Sequence, residues 1–520
     1  MKVKFISNTF DEYKLGTATL YFSGYATLNN KRQMPLDIIW GIQTVGEAFL
    51  KELNGFYSFV YISDDKSIAC VDIIRSIPLF YTYNETNNLI IISDQANNLV
   101  AGHDIDQINQ DIFQLCSYVV GNETLYEGLF QILAGEFLIL HEGHIENKSF
   151  FRFDATEPRS FDVEKFKLEV NRVLKASFIR MLAYADGKQF VIPLSGGYDS
   201  RLIVSTLKEL EYENVICFSY GVKGNIEAEY SKKIAESLGY KWVFIEYTSE
   251  KWKQAWASQE AKDFIDFASN HTSLPHVQDW LAVKELKESQ LIEKNAIFVP
   301  GHCCVTSYIT KDIINKFSKD RVLDEICKRH FILAPISESK KIKNFDNLKE
   351  IVGRKIESKF DISQQVASNV TIFNWQERQS KYIANSVRVY DFFDFSWWLP
   401  LWDKDFTEVW KVLPNNLRVN RKIFKEIVAD KYSIASNVTL DIGNAKEPSK
   451  RYKLARIILS FAPKKLVDLA KNTYRFRKDY VNHYLCLDAL IRIKDLEVLS
   501  KRGYKIIGIY AYYYIHKLWK

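Results

Sequence analysis

The chain has 520 residues, of which 47% are hydrophobic and 26% charged, and this composition predicts a soluble globular protein of two or three domains. Its seven cysteines include no CxxC pair, and neither a signal peptide nor a run of about 18 apolar residues is evident, so we expect a cytoplasmic protein. The net charge of +6 divides into +12 on residues 446–520 and −6 on the rest, which argues against bulk nucleic-acid binding.

Residues 1–155 are predicted to form mostly β-strands. Apolar and polar residues alternate in short segments that turn residues separate, namely 17–28, 56–64, 67–74, 88–94 and 135–146. The pattern predicts an antiparallel β domain, built as a layered sandwich with a few helices.

Residues 156–445 are predicted to form an α/β domain. A helix over 161–184 precedes a buried strand at Phe190–Leu194, and a helix follows that strand. The next elements alternate as in a parallel sheet: strands at 215–220, 241–246 and 297–300, and helices at 228–238 and 280–286. Beyond residue 310 the pattern is mainly helical.

The most specific motif is SGGYDS at Ser195–Ser200, directly after the strand Phe190–Leu194. Gly196 and Gly197 allow positive φ and close approach of the backbone to a ligand, and N–H groups at a helix N-terminus attract phosphate. Asp199 is explained if it binds Mg²⁺ that accompanies the phosphates. The alternative is a glycine-rich turn with helix-capping residues, but the full pattern favours a nucleotide site.

This loop resembles the pyrophosphate loop of the ATP pyrophosphatase superfamily. A β domain followed by such a loop resembles the asparagine synthetase family, in which an amidotransferase half precedes a half that activates a carboxylate with ATP. Further segments resemble family motifs: Asn54–Val60, Asp72–Tyr81, Ser93-Asp94, Glu127–Gly135, Glu227–Gly239, Leu399–Phe406 and Leu413-Pro414. With Arg201 included, SGGYDSR is similar to synthetase-like proteins of surface-polysaccharide and peptide-modifying systems.

The resemblance implies three parts. Residues 1–155 would be an α+β, Ntn/amidotransferase-like antiparallel sandwich, and 156–445 an α/β parallel-sheet ATP pyrophosphatase domain. Residues 446–520 would form a basic helical extension.

The resemblance also implies a site for ATP and Mg²⁺, with Asp199 as the metal ligand. The residues expected to bind the nucleotide are Leu194, Ser195, Gly196, Gly197, Asp199, Ser200, Ser219 and Gly301. The family's catalytic lysine neutralises charge on the acyl-adenylate, and its candidates are Lys446, Lys422 and Lys425. Asp199, Lys446 and Lys422 are the predicted catalytic residues, although each lysine taken singly is more typical of a solvated surface.

The amino domain departs from the family at its nucleophile. The family's glutaminase needs a cysteine directly after the initiator Met, whereas this chain has Lys2 there and no cysteine before Cys70. The family's glutamine-pocket motif is replaced by Ser23–Thr27. We therefore expect a scaffold domain without glutaminase activity, so that free ammonia or another amine would be the nitrogen donor.

A second departure affects the metal. Where the family has another Mg²⁺-binding aspartate, four residues after Gly301, this chain has Val305, which cannot bind Mg²⁺. His302, Cys303 and Cys304 suggest zinc, but adjacent cysteines rarely ligate one tetrahedral ion, so loop packing is the favoured explanation. The loss of the aspartate leaves open that ATP turnover is weak or absent.

The resemblance implies an ATP- and Mg²⁺-dependent ligase that adenylates a carboxylate and transfers it to an amine. Aspartate is the family's usual substrate, and the departures shift the expectation towards a sugar uronate of surface polysaccharides or a peptide carboxylate. The alternatives are an asparagine synthetase that uses ammonia, a lasso-type peptide-cyclising ligase, and a non-catalytic ATP-binding or scaffold protein.

The carboxyl-terminal segment suggests a further contact. Basic residues lie among aliphatic ones over 450–478, and the apolar, aromatic stretch Ile506–Ile515 has lysines on both sides. Such segments can hold a protein at anionic lipid, here the inner membrane face. A helical layer packed on the α/β domain is the alternative, and it is slightly favoured.

Overall fold

The structure, a computed structural model, describes residues 2–84, 86, 88–141, 144–357, 365–438, 476–481, 483 and 485–516. Its amino-terminal part is built on two sheets. The strands are β1 (Lys2–Ile6), β2 (Asp11–Leu15), β3 (Ala18–Leu28), β4 (Lys31–Gln33), β5 (Asn54–Ile62), β6 (Lys66–Val71), β7 (Phe80–Asn84), β8 (Leu89–Ser93), β9 (Leu129–Gln131), β10 (Glu136–His141) and β11 (His144–Ser149). The helices are α1 (Pro35–Val45) and α2 (Gln107–Cys116).

The two sheets face each other across a shared core. The large amino sheet has the order β11-β10-β6-β5-β3-β2 with β4 beside β3, and the small amino sheet has the order β1-β8-β7-β9. One buried apolar cluster contains Val60 and Leu138 of the large sheet together with Tyr81 and Ile92 of the small sheet. The strand predictions for this region are confirmed, although β1 pairs with β8 in parallel rather than antiparallel.

A parallel sheet with the order β14-β13-β12-β15-β16 forms the centre of the rest of the chain. Its strands are β12 (Phe190–Pro193), β13 (Val215–Gly221), β14 (Lys241–Glu246), β15 (Ile297–Phe298) and β16 (Ser396–Trp397). The interleaved helices are α3 (Val163–Ala185), α4 (Tyr198–Glu209), α5 (Ile226–Ser237), α6 (Ser249–Ala257), α7 (Gln259–Ser269) and α8 (Trp280–Glu288). The α/β prediction is therefore confirmed, with the predicted elements in the predicted order.

The chain beyond residue 310 is mainly helical, as predicted. Its helices are α9 (Lys319–His330), α10 (Phe345–Ile356), α11 (Val366–Phe373), α12 (Arg388–Phe392), α13 (Lys404–Lys411), α14 (Asn415–Arg418), α15 (Lys422–Ser436), α16 (Ile493–Arg502) and α17 (Ile506–His516). A π-helical segment, Asn374–Ile383, continues α11.

The apolar stretch in α17 packs into the protein. Gly508, Ile509, Tyr510 and Ala511 are buried, and the ring of Tyr514 stacks on Phe113 of α2 with centroids 5.3 Å apart. This contact accords with the packing alternative for that stretch. Most of the basic segment 450–478 lies outside the described residues, and peripheral membrane contact stays a prediction. Within the described ranges, no helix is long and apolar enough to cross a bilayer.

A buried ion pair joins the π-helical segment to the amino-terminal part. Lys381 and Glu377 are fully buried, with Nζ and the carboxylate 2.5 Å apart. The Lys381 ammonium also donates to the carbonyls of Val119 (2.9 Å) and Gly121 (2.6 Å), and the Glu377 carboxylate accepts the Gly121 N–H (3.1 Å). Both charges are thus compensated inside the protein, as buried charges must be.

Replacing Lys381 with methionine is expected to lower the free energy of unfolding by about 3–5 kcal/mol, because Glu377 would be left as an unpaired buried charge. The matched control is Lys501→Met, since Lys501 forms an exposed pair with Glu497 at the same i,i+4 spacing. That variant should lose no more than about 1 kcal/mol. Urea unfolding of both proteins measures the difference, and equal losses would contradict a structural role for the buried pair.

Candidate functional site

The loop Ser195–Ser200 connects the carboxyl end of β12 to the amino end of α4. The Ser195 N–H donates to Ser200 Oγ (3.1 Å), and the Gly197 N–H donates to Ser195 Oγ (3.1 Å). The loop is therefore shaped by its own serine hydroxyls. It lies at the carboxyl ends of the strands of the parallel sheet, where open α/β folds bind ligands.

The expectation of positive φ at the two loop glycines is wrong. Gly197 caps α4 with φ −74° and ψ 176°, and Gly196 is also outside the left-handed region. Space explains the glycines instead. A Cβ on Gly196 would lie 3.1 Å from Tyr230 Cβ, and one on Gly197 would lie 3.0 Å from Ser195 Oγ, which holds the loop.

The structure brings the other predicted nucleotide-site residues to the same carboxyl-terminal side of the parallel sheet. Ser219 Oγ on β13 donates to the carbonyl of Leu194 (2.6 Å). Gly301, just after β15, packs so closely on the loop that a Cβ there would lie 2.9 Å from the Ser200 nitrogen. Ser219 and Gly301 therefore support the loop from the two neighbouring strands, and Ser219 does so through Leu194 at the end of β12.

Asp199 forms an ion pair that sequence reasoning missed. Its carboxylate accepts two hydrogen bonds from the guanidinium of Arg421, one of them 3.2 Å long from Nη1 to Oδ2. Burial lowers the pKa of Arg421, but the Asp199 carboxylate outweighs it, so that the pKa lies above its ordinary value. The guanidinium is therefore held in its charged form, and the pair is partly shielded from solvent.

The backbone before α15 places this arginine. Asn420 and Arg421 both adopt left-handed conformations, with φ +56° and +58°, which are uncommon for residues other than glycine. The Arg421 guanidinium also lies over the ring of Phe424, 4.4 Å from its centroid. Strained backbone of this kind often occurs at functional sites.

The predicted catalytic lysines are placed differently. Lys422 is exposed at the start of α15, next to Arg421, and Lys425 Nζ lies 5.6 Å from the ring centroid of Tyr198. Lys446 lies outside the described residues. A catalytic role for Lys422 or Lys446 stays a prediction. The described structure holds two arginines against the loop: Arg421 binds Asp199, and Arg201 donates to the Gly196 carbonyl (2.9 Å).

The segment after Gly301 packs as a loop around buried thiols. Burial, the neighbouring Cys304 and the Asp199 charge raise the pKa of the Cys303 thiol well above its ordinary value, which disfavours the thiolate that zinc requires. No cluster of three or more His, Cys, Asp or Glu suited to a metal occurs within the described part of the chain. Val305 is half-buried and lines a small cavity with Arg421.

The residues present fit Mg²⁺ held jointly with a nucleotide. Mg²⁺ is usually bound through one or two carboxylates, substrate phosphates and water rather than by a full protein cage. Asp199 supplies one such carboxylate, next to the hydroxyls of Ser195 and Ser200. Arg421 would have to release at least one oxygen of Asp199, and its guanidinium could then turn to a phosphate.

Two family models match separate parts of the chain. Residues 38–151 match a family model described as a glutamine amidotransferase domain, and residues 170–288 match one described as asparagine synthase. A protein of Acanthamoeba polyphaga mimivirus, described as a probable asparagine synthetase (glutamine-hydrolyzing), is 26% identical over 199 residues. That match spans 38% of this chain and 35% of the relative's length.

Two solved structures are similar in part. One is the glutamine phosphoribosylpyrophosphate amidotransferase from B. subtilis, which is 11% identical. The match covers 70% of this chain and 78% of that protein, with a TM-score of 0.19. The other is the U34-tRNA thiolase NcsA from Methanococcus maripaludis, which is 13% identical. The match covers 55% of this chain and 84% of that protein, with a TM-score of 0.18. TM-scores this low carry no weight for the arrangement of the whole chain.

Proposed function

We propose that the chain is an ATP- and Mg²⁺-dependent ligase that joins a carboxylate to an amine. Its two matched segments support an asparagine synthetase-like family. The observation that carries the proposal is the loop Ser195–Ser200, which contains Asp199. The loop lies at the carboxyl ends of the parallel strands, and Gly301 packs against it. The matched asparagine synthase segment contains this loop.

The proposed reaction has two steps. The substrate carboxylate attacks the α-phosphorus of ATP, so that pyrophosphate leaves and an acyl-adenylate forms. The amine then attacks the acyl carbon and AMP leaves. The Ser195–Ser200 loop and the amino end of α4 would hold the phosphates, and Arg421 would balance charge that develops on them. Mg²⁺ would neutralise phosphate charge when it is bound.

The proposed carboxylate is a sugar uronate, with aspartate and a peptide carboxylate as the other substrates to test. Purified protein with ATP, Mg²⁺, ammonium and each carboxylate in turn should release pyrophosphate and AMP in equal amounts. Pyrophosphate formed with only one carboxylate would name the substrate. No pyrophosphate with any of them would contradict the assigned reaction for these substrates.

A non-catalytic nucleotide-binding protein is the second candidate. Two observations favour it: Val305 offers no metal ligand, and both oxygens of Asp199 are already bound by Arg421. Such a protein would bind ATP, as seen by calorimetry, and would release no pyrophosphate.

We further propose that the amino-terminal part lacks glutaminase activity. Cys70 is fully buried in β6, and burial together with the nearby Asp72 raises the pKa of its thiol well above the ordinary value. A buried neutral thiol is a poor nucleophile. Incubation with glutamine should therefore yield no glutamate above a blank without protein, and steady glutamate formation would show that this proposal is wrong.

A further inference from the structure

A second cavity lies between the large amino sheet and the edge of the parallel sheet. Its volume is about 510 Å³, and none of the residues Ser195–Ser200 lines it. Its lining includes Gly24 and Tyr25 of β3, Asp94 after β8, and Trp397 and Trp398 at β16. Cavities of this size commonly hold small molecules.

Aromatic rings form much of the cavity wall. The rings of Phe56 and Trp398 meet edge to face with their centroids 5.0 Å apart, and the ring centroids of Tyr184 and Trp398 lie 4.7 Å apart. Tyr25 contacts both Tyr184 (5.2 Å) and Trp398 (5.6 Å). Ring faces of this kind attract cations.

One carboxylate in the wall has no counter-charge. Asp94 is only 5% exposed; its Oδ2 accepts the Thr9 hydroxyl (2.6 Å), while Oδ1 has no hydrogen-bond partner. No lysine or arginine of the described residues forms an ion pair with it. An uncompensated buried carboxylate is costly, so a positive partner is expected.

The other charged groups of the wall are already paired. Arg388 binds Asp391 (2.8 Å) and donates to the carbonyl of Ser76 (2.7 Å). Asp394 binds Lys287 (3.2 Å). Arg32 lies over the ring of Tyr25, 5.0 Å from its centroid, and is not part of the wall. The lining therefore contains one carboxyl group without an ion-pair partner, together with several aromatic rings.

We propose that this cavity binds a small organic ammonium ion with an apolar or aromatic body. The ammonium would supply the positive charge that Asp94 lacks and the donors that a carboxylate accepts, and the body would pack against Trp398 and Tyr184. The site is separate from the nucleotide loop, so the proposal does not depend on the proposed function.

Calorimetric titration of the full chain without nucleotide tests the site. The probe is 2-phenylethylammonium, and 2-phenylethanol, which has the same body without the charge, is its matched comparison. The ammonium should bind at least about tenfold more tightly than the alcohol, because only the ammonium gains the ion pair and the cation–π contacts. Equal affinities, or no binding of the ammonium at millimolar concentration, would overturn the proposal.

Two variants locate the binding. Asp94→Asn should weaken ammonium binding at least about tenfold and leave the weak alcohol binding unchanged. Tyr184→Leu, which keeps the carboxylate, should also weaken the ammonium more than the alcohol, and it serves if the first variant does not fold. The surface variant Asp186→Asn should bind as the parent does. Ammonium affinity that neither wall variant changes would show that the cavity is not the site.

Discussion

Replacing Asp199 with asparagine is expected to lower ATP-dependent pyrophosphate release by about a hundredfold or more, the range seen when one preorganised charge-stabilising group is lost. The change removes the carboxylate charge that Mg²⁺ requires and keeps the size of the side chain. Because Asp199 is partly exposed and lies in the first turn of α4, the fold should be retained.

Initial rates of pyrophosphate release, with thermal unfolding measured in parallel, check this result. The matched control is Asp186→Asn, since Asp186 is an exposed aspartate at the carboxyl end of α3. The control should keep the parent rate. If Asp199→Asn binds ATP with Mg²⁺ and turns over as the parent does, the assignment of Asp199 is wrong.

Replacing Arg421 with alanine is expected to lower pyrophosphate release by about a hundredfold to a thousandfold, as does removal of a group that stabilises transition-state charge. The parent arginine is charged, partly buried and already aimed at the loop through Asp199. Lysine should restore only part of the rate, because one ammonium cannot reproduce the two-pronged contact of a guanidinium.

Rates of Arg421→Ala, Arg421→Lys and the surface variant Arg172→Ala separate a specific role from a general loss of charge. Arg172 is an exposed arginine paired with Glu169, and its truncation should leave the rate unchanged. A rate that rises in Arg421→Ala would instead show that Arg421 inhibits the reaction by occupying the carboxylate of Asp199. An unchanged rate would exclude Arg421 from the reaction.

Local sequence patterns predicted most of the fold. Alternating residues marked β3, β5, β6, β8 and β10, and the helices and strands around the loop Ser195–Ser200 were predicted in the correct order. The helices follow from a period of 3.6 and the half-buried strands from a period of 2, whereas β12 and β13 follow from short apolar runs.

The features that sequence reasoning missed depend on distant residues or on close packing. Arg421 is 222 residues from Asp199, and its position depends on two left-handed backbone conformations that no local pattern announces. The reason for a glycine at position 196 is also non-local, since the atom closest to a Cβ there belongs to Tyr230 on α5. A motif specifies a local turn, whereas the partners of that turn are set by the tertiary fold.

The buried ammonium of Lys381 has a consequence for cutting the chain in two. Its acceptors at Val119 and Gly121 lie in the amino-terminal part, while its carboxylate partner lies in the carboxyl-terminal part. Separation would take the Lys381 donor away from the carbonyls of Val119 and Gly121. We therefore expect each half to be less stable on its own than it is within the intact protein.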